Sequence, residues 1–448
     1  MKTLGLKTRY LLFPAICALC GASWLVGFAS PDVLSSAHSQ RKQYPVEDAA
    51  LKSLPNAPDN AKRTIDPPAD YRDAIRLLKA HHYTATLDPA QIRLLTYEAI
   101  RGMVASLDDP FSSFLDPDDW TQMQATTRGD FEGVGIILQS DNGRVRVAEV
   151  VETSPAEKAG VKSGDTIAKV NGQAVTGQSM NEIVRRIKGN PGTKVKVGIW
   201  RGATPLEFSL LRTNVVPPIV KYEIVDAQAR IARIALTEFN ERSIEQLFAA
   251  FDAVKKQGAR AIIFDLRGNP GGLLDVSIDV ASVFIRRDSR PEFQNAVVFV
   301  KEGSGDEAKR VLRSDYYRMD KMPLTVLVNG GSASAAEIVT AAIQDYGAGT
   351  IVGERTYGKG KVQTLFPLDD TSALRLTTGL YYSPKHTDIN YRHDAAGRRI
   401  ADTGGVLPDV AVTQPPNWGG WSDHKNDAQL QHGIELLQTK LNDADTAR

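Results

Sequence analysis

From about Val215 the chain alternates short apolar runs with amphipathic ones, and this pattern limits the fold more than any other feature. "RIARIAL" is followed by "SIEQLFAAFDAVKKQG", "AIIFDL", the loop "RGNPGG" and a helical run from Leu273. "LTVLVN", a helix beginning near Ser334, "TIVGE" and late strands reaching "LYY" continue the series. Strands separated by helices long enough to cross over predict an α/β core with a largely parallel sheet. We place this core at residues 214–412.

Other regions have other periodicities. Residues 129–213 hold short β-branched runs ("VGIIL", "RVRVAEVV", "KVKVGIW") between Gly, Asp and Asn turns, with "SMNEIVRRIKG" the one helical stretch, as in a small binding module. Upstream, "YRDAIRLLKAHHY" and "AQIRLLTYEAIRGMVASL" have helical spacing and close on the turn-rich "DDPFSSFLDPDDW", which gives a helical region at 71–128. Residues 38–70 read as an exposed linker rich in Pro, Ala, Asp and Lys. Residues 413–448 form a polar tail with one helix, "AQLQHGIELLQTKL". The chain is thus expected to be multidomain α/β (α+β).

Lys2, Lys7 and Arg9 precede the apolar "YLLFPAICALCGASWLVGFAS", and Ser35, Ser36 and Ala37 follow it, which is the layout of a secretory signal. Cleavage is expected near Ala29 or Ala37; uncleaved, the run is long enough to anchor the chain in a membrane. Residues 1–37 are therefore a signal peptide or anchor, and the expected location is the bacterial periplasm or cell envelope. Both cysteines, Cys17 and Cys20, lie in this segment, so the exported part has no thiol to offer for disulfides, thiolate metal sites or nucleophilic attack. With 54 basic against 53 acidic residues the formal net charge is +1, and no nucleic-acid partner is expected.

The seven histidines stand at 38, 81, 82, 386, 393, 424 and 432, so the strand-rich block and nearly all of the α/β core lack imidazole. A Ser-His pair on that core is disfavoured, and no HExxH, CxxC or EF-hand spacing supports a metal; no cofactor is expected. Ser334 has two readings. Ser334-Ala-Ala-Glu337 has the spacing of a helix-capping box. Equally, a hydroxyl at a helix N-terminus, among free amides, can attack a carbonyl and have the oxyanion stabilised there. Ser332 has no such helix partner and reads as a turn residue.

A serine nucleophile needs a base. Lys359, between glycines in "RTYGKGKVQTLF", is either a solvated turn lysine or that base. At a reference pKa of about 10.4 only about 0.04% of an exposed amine is neutral at pH 7. Burial that lowers the pKa to about 8 makes about 10% neutral, at a cost of about 3 kcal/mol, so the base reading requires a dry cleft. Lys361 reads as surface charge. "DLRGNPGG" is either a turn or a loop whose Gly271 or Gly272 amide adds a second oxyanion donor to that of Ala335. "FEGVGI" is either a bend in a strand or a carboxylate-capping turn with amides at Val134, Gly135 and Ile136, beside an edge to which a peptide can add.

"IRGMVASLDDPFSSFLDP", "GVGI" with "SPAEKAGVKSGDTIAKVNG", "DLRGNPGGLL", "NGGSASAAEI" and "GKGKVQT" occur in the order found in the carboxyl-terminal processing (tail-specific) serine proteases, and the chain resembles that family from about Tyr71 to Asp409. The resemblance implies a PDZ domain at 129–213 and a Ser/Lys protease core with a crotonase-like α/β fold. It also implies Ser334 as nucleophile, Lys359 as general base and Gln363 as an orienting amide. On a regular strand Lys359 and Gln363 stand about 13 Å apart, so Gly360 has to bend the chain. The expected partners are protein substrates with apolar C-termini; the family also allows an adaptor and self-assembly through residues 71–120. "YYSPKHTDINYRHDAAGRR" is longer and more basic than the family's pattern. The competing reading is a noncatalytic PDZ scaffold of the envelope; acyl-CoA chemistry on a crotonase-like core does not suit an exported chain.

Overall fold

The computed structural model describes residues 67–446 except 83–86, 142, 304, 306, 313, 314, 321, 369, 395–397 and 402. The signal or anchor segment, both cysteines and nearly all of the linker lie outside the described residues. Among the described residues no helix is long and apolar enough to cross a membrane. The described residues divide into two units. One comprises those up to Trp120 together with Gln363–Thr377, and the other Thr121–Val362 together with those from Thr378 onward.

The first unit carries helices α1 (Pro67–His81) and α2 (Pro89–Ala105). Helix α2 starts at a complete capping box: Asp88 accepts the Gln91 N–H at 2.8 Å, and the Asp88 N–H donates to Gln91 Oε1 at 2.9 Å. Tyr71 and Thr96 link the two helices through their hydroxyls at 2.6 Å. Leu77, Leu78, Leu94 and Met103 remain exposed on them. The turn-rich stretch after α2 folds further than its composition suggests. It forms strand β1 (Ser113–Leu115), which pairs antiparallel with Ala373–Arg375. It also opens helix α3 (Pro117–Arg128), whose first amides, at Asp118 and Asp119, donate to Asp116 Oδ1 at 3.1 and 3.0 Å.

In the second unit the strand-rich block runs through β2 (Phe131–Gly133), β3 (Ile136–Asp141), β4 (Arg144–Val150), helix α4 (Pro155–Ala159), β5 (Thr166–Val170), β6 (Gln173–Ala174), helix α5 (Met180–Ile187), β7 (Lys194–Arg201), β8 (Thr204–Leu211) and β9 (Thr213–Val215). Its sheet has the order β3-β4-β5-β7-β8 and leaves β3 at an edge. Val147, Ile167, Ile183, Val195 and Val197 fill its core. Entry and exit pair with each other, Phe131 with Val215 and Gly133 with Thr213. Helix α4 is an addition to the one helix the periodicity shows. Ser154 caps it by accepting the Glu157 N–H at 3.2 Å, Pro155 opens it, and Gly160, left-handed at φ 86°, ends it.

The core follows as β10 (Val220–Asp226), β11 (Ile231–Leu236), α6 (Ser243–Lys256), β12 (Ala261–Asp265), α7 (Leu274–Phe284), β13 (Ala296–Glu302), β14 (Glu307–Val311), β15 (Leu324–Val328), α8 (Ala335–Tyr346), β16 (Thr350–Gly353), β17 (Lys361–Pro367), β18 (Ala373–Tyr382), β19 (Val410–Ala411) and α9 (Ala428–Thr446). Its sheet has the order β10-β11-β12-β15-β16-β19 and is parallel except for the edge strand β10. Helices α6, α7 and α8 bury one face around Phe251, Phe264, Phe284, Val326 and Val339. The other face is covered by α9, whose Leu430, Ile434, Leu437 and Leu441 pack on Ile263, Leu327 and Val352. Each such leucine, fully buried, contributes about 1.5–3 kcal/mol, so this helix belongs to the core. The hairpin of β13 and β14 joins the last residues of β18, Phe299 opposite Tyr382.

Candidate active site

The loops at the carboxyl ends of β11, β12 and β15 form one hydrogen-bonded assembly. After β12, Asn269 donates its side-chain amide to the Leu236 carbonyl at 2.8 Å, and its own carbonyl accepts the Ala333 N–H at 2.9 Å. Ser332 is fully buried: its hydroxyl donates to the Leu266 carbonyl at 2.8 Å and accepts the Asn329 N–H at 3.0 Å. Both capacities are used to hold the turn, as the sequence led us to expect of this serine.

Ser334 stands between β15 and α8 with φ 54° and ψ −117°. This conformation is unusual for a residue with a Cβ and costs about 1–3 kcal/mol. It resembles the strained strand-to-helix turn that projects a nucleophilic serine above other α/β sheets. The Gly271 backbone lies directly beside it: a Cβ added to Gly271 would stand 2.7 Å from Ser334 Cβ and 2.9 Å from the Ala335 nitrogen. The Gly271 N–H is already committed to Asn269 Oδ1 at 2.8 Å. Gly272 is also held to glycine, since an added Cβ would fall 2.0 Å from the Phe239 carbonyl oxygen.

Glu337, three residues into the helix and fully buried, ties the serine to the lysine loop. One carboxylate oxygen accepts the Ser334 N–H and the Lys359 N–H, each at 2.8 Å, so those two nitrogens lie within twice that distance of each other. The other oxygen accepts the Gly358 N–H and the Thr356 hydroxyl, each at 2.6 Å. Burial pushes this carboxyl up from its ordinary value, and the four donors oppose that shift. The spacing of Ser334 and Glu337 revealed the capping half of this arrangement. The half that reaches Lys359 depends on residues about twenty positions later and has no local signal.

Lys359 is buried, with 7% of its surface exposed. It precedes the regular strand, which begins only at Lys361. Gly360 is fixed there by Asn390, whose side-chain oxygen accepts the Gly360 N–H at 3.0 Å while its amide donates to the Gly360 carbonyl at 3.2 Å. Asn390 lies in the segment that departs from the family's pattern, and sequence reasoning gave it no role. Gln363 belongs to the first unit, where its side-chain amide donates to the Phe111 carbonyl.

A buried ionic cluster supports the glycine loop from beneath. Asp265 accepts from Arg233 at 2.7 and 3.0 Å and from Arg267 at 2.8 and 3.0 Å. Burial alone would raise the Asp265 carboxyl, but the Arg267 and Arg233 charges outweigh it and hold the group at about 2. Arg267 also donates to both oxygens of Asp427, at 2.7 and 2.8 Å, and the two guanidiniums lie over Trp418 and Trp421. The region carrying α9 is thereby linked to the loop beside Ser334.

In the strand-rich block, Gly135 is left-handed at φ 81°, and a Cβ there would fall 2.1 Å from Ser154 Cβ. The carbonyls of Val134 and Gly135 accept from Ala156 and Val151, each at 2.9 Å. Val134 is buried in the block's core, and Ile136 opens the edge strand β3 and packs partly against that core.

The profile of peptidase family S41 matches residues 230–412, and that of a PDZ domain residues 146–201. A carboxy-terminal-processing protease of Bartonella bacilliformis is 34% identical over 367 residues, 80% of this chain and 77% of that protein. The chain belongs to peptidase family S41. The carboxy-terminal processing protease CtpA of Bacillus subtilis is 37% identical, over 68% of this chain and 62% of that protein. The photosystem II D1 C-terminal processing protease is 30% identical, with a TM-score of 0.43, over 77% of this chain and 88% of that one. As an S41 peptidase with a PDZ domain, the chain is a proteolytic enzyme with a peptide-binding module, and the noncatalytic scaffold reading is set aside.

Proposed function

We propose that this S41 peptidase is a serine endopeptidase that captures protein substrates by their C-termini and cuts them with Ser334 and Lys359. The observation that carries this reading is the Glu337 carboxylate, which accepts the N–H groups of both residues. Neutral Lys359 takes the hydroxyl proton as Ser334 Oγ attacks the peptide carbonyl carbon. The negative charge that gathers on the carbonyl oxygen is held by two backbone amides. We assign these to Ala335 and Gly272, because the Gly271 amide serves Asn269. As the C–N bond breaks, the lysine ammonium protonates the leaving amine and an ester on Ser334 remains. Water then attacks the ester, Lys359 takes its proton, and the proton returns to Ser334 Oγ as the acid departs. Gln363 is proposed to orient the lysine.

The Val134–Ile136 turn and the open edge of β3 support capture of a terminal carboxylate by strand addition, with an apolar last residue beside Ile136. The exposed Leu77, Leu78, Leu94 and Met103 support self-assembly or adaptor docking through the first helices. The apolar segment within residues 1–37 supports export to the envelope.

Cleavage of a peptide with a free apolar C-terminus tests the dyad. Ser334→Ala and Lys359→Ala are each expected to lose at least about 1000-fold in kcat while binding the peptide as wild type does. Wild-type turnover in either variant overturns the assignment.

A further inference from the structure

The backbone around Lys359 is hydrogen-bonded at each residue from 357 to 360, and part of that bonding comes from the segment that departs from the family's pattern. The Tyr357 N–H donates to the Ser332 carbonyl at 2.9 Å, and those of Gly358 and Lys359 donate to Glu337 at 2.6 and 2.8 Å. Three successive amides thus face the turn and the helix that carry the nucleophile. The carbonyls are met from elsewhere. That of Gly358 accepts the Tyr391 N–H at 3.0 Å, that of Lys359 the Tyr381 hydroxyl, and that of Gly360 the Tyr381 N–H at 3.0 Å. The Tyr357 carbonyl accepts from Arg399 Nη2 at 2.5 Å.

Arg399 ends the divergent stretch and is exposed, yet its place is fixed. Its backbone pairs antiparallel with His393. Its guanidinium carbon lies over the rings of Tyr391 and Tyr357, at 4.4 and 5.1 Å from their centroids. These rings meet edge to face at 5.9 Å, which gives the planar cation aromatic faces to rest on. The Tyr357 carbonyl and the Gly358 N–H belong to one peptide unit. That unit has the Glu337 carboxylate at its N–H end and the Arg399 guanidinium at its carbonyl end, so both of its bonds are charge-assisted and both favour the same direction of its dipole. Gly358, at φ 94°, has no side chain to limit rotation of this peptide, and the two charges set its direction. Lys359 follows it directly.

We infer that Arg399 is a positioning residue for the base: its guanidinium fixes the Tyr357–Gly358 peptide against Glu337 and thereby sets where Lys359 stands relative to Ser334. This role rests on the Ser334 and Lys359 reading. Because Arg399 acts through the loop, its loss leaves nucleophile and base present but misaligned, which affects the chemical step more than substrate binding.

The test uses the full chain and a peptide with a free apolar C-terminus. Arg399→Ala is expected to lower kcat about 10-fold, with KM within about 2-fold of wild type. Guanidinium ion in the tens of millimolar range, compared with sodium chloride at equal ionic strength, should restore part of the lost kcat to Arg399→Ala by occupying the vacated place over the two tyrosines. It should restore none to Asn390→Ala, which lacks a different contact to the same loop. Wild-type kcat in Arg399→Ala, with Ser334→Ala and Lys359→Ala inactive, overturns the role of Arg399 alone. A loss that guanidinium does not relieve, or relieves equally in Asn390→Ala, also overturns it and leaves Arg399 a merely structural residue. Wild-type cleavage by Ser334→Ala or Lys359→Ala overturns the dyad beneath it.

Discussion

Ser334 and Glu337 carry opposite kinds of cost. The serine adopts a backbone conformation that only glycine takes without strain, whereas the glutamate is a buried charge that must keep all its donors. Ser334→Gly is therefore expected to unfold at a higher temperature than Ser334→Ala, by about 1 kcal/mol in stability; equal melting temperatures would show that the backbone there is unstrained. Glu337→Gln turns an N–H donor toward groups that are themselves donors. We expect it to lose about 2–4 kcal/mol in denaturant unfolding and most of its kcat, while an unchanged kcat would deny Glu337 its place in the assembly. Asp265 sets a pH dependence. Its folded value, about 2, is below the ordinary 3.8, so its contribution of about 2 kcal/mol is complete above about pH 4 and is lost as the pH falls toward 2. Asp265→Asn should be less stable at pH 7 by about 3–5 kcal/mol, and its stability should fall less than that of wild type between pH 4 and 2.5.

Among the elements, the parallel strands and their helices were legible because apolar periodicity is local: β11, α6, β12, β15, α8 and β16 all follow from it. The partners of a loop are not local. Nothing around Asn390 shows that it encloses Gly360 from thirty residues away, and nothing around Asp427 points to Arg267. The spacing of Leu430, Ile434, Leu437 and Leu441 marks a helix with an apolar face, but the sequence does not say which surface covers that face. Arg233 is similar, a charge in the middle of a fully buried strand whose compensation comes from Asp265 and the ring of Trp421. At this scale Asn390→Ala tests whether the divergent segment serves the chemistry. It should lower kcat about 10-fold through the freed Gly360 peptide and leave the affinity for a C-terminal peptide as it is. A change in affinity with constant kcat would assign the segment to substrate binding instead.

Across the whole molecule, recognition and cutting are built on different principles. The PDZ sheet offers an unpaired edge beside a turn that only glycine can make, and the core offers loops at the ends of parallel strands. Gly135→Ala, with its added Cβ against Ser154, should abolish discrimination between a free and an amidated C-terminus and raise KM for the free one, with kcat at saturation little altered. Discrimination that survives would move the carboxylate site elsewhere. Since Gly133 and Thr213 sit opposite each other on β2 and β9, the chain enters and leaves the block through one doorway, and Glu149 of β4 also meets Lys221 of β10 at 3.3 Å. A two-residue turn is enough to close a gap of that size, so the recognition module can be cut out and the threshold sealed without stretching the rest of the chain. The shortened enzyme should fold, and cleave slowly whatever tail it is offered.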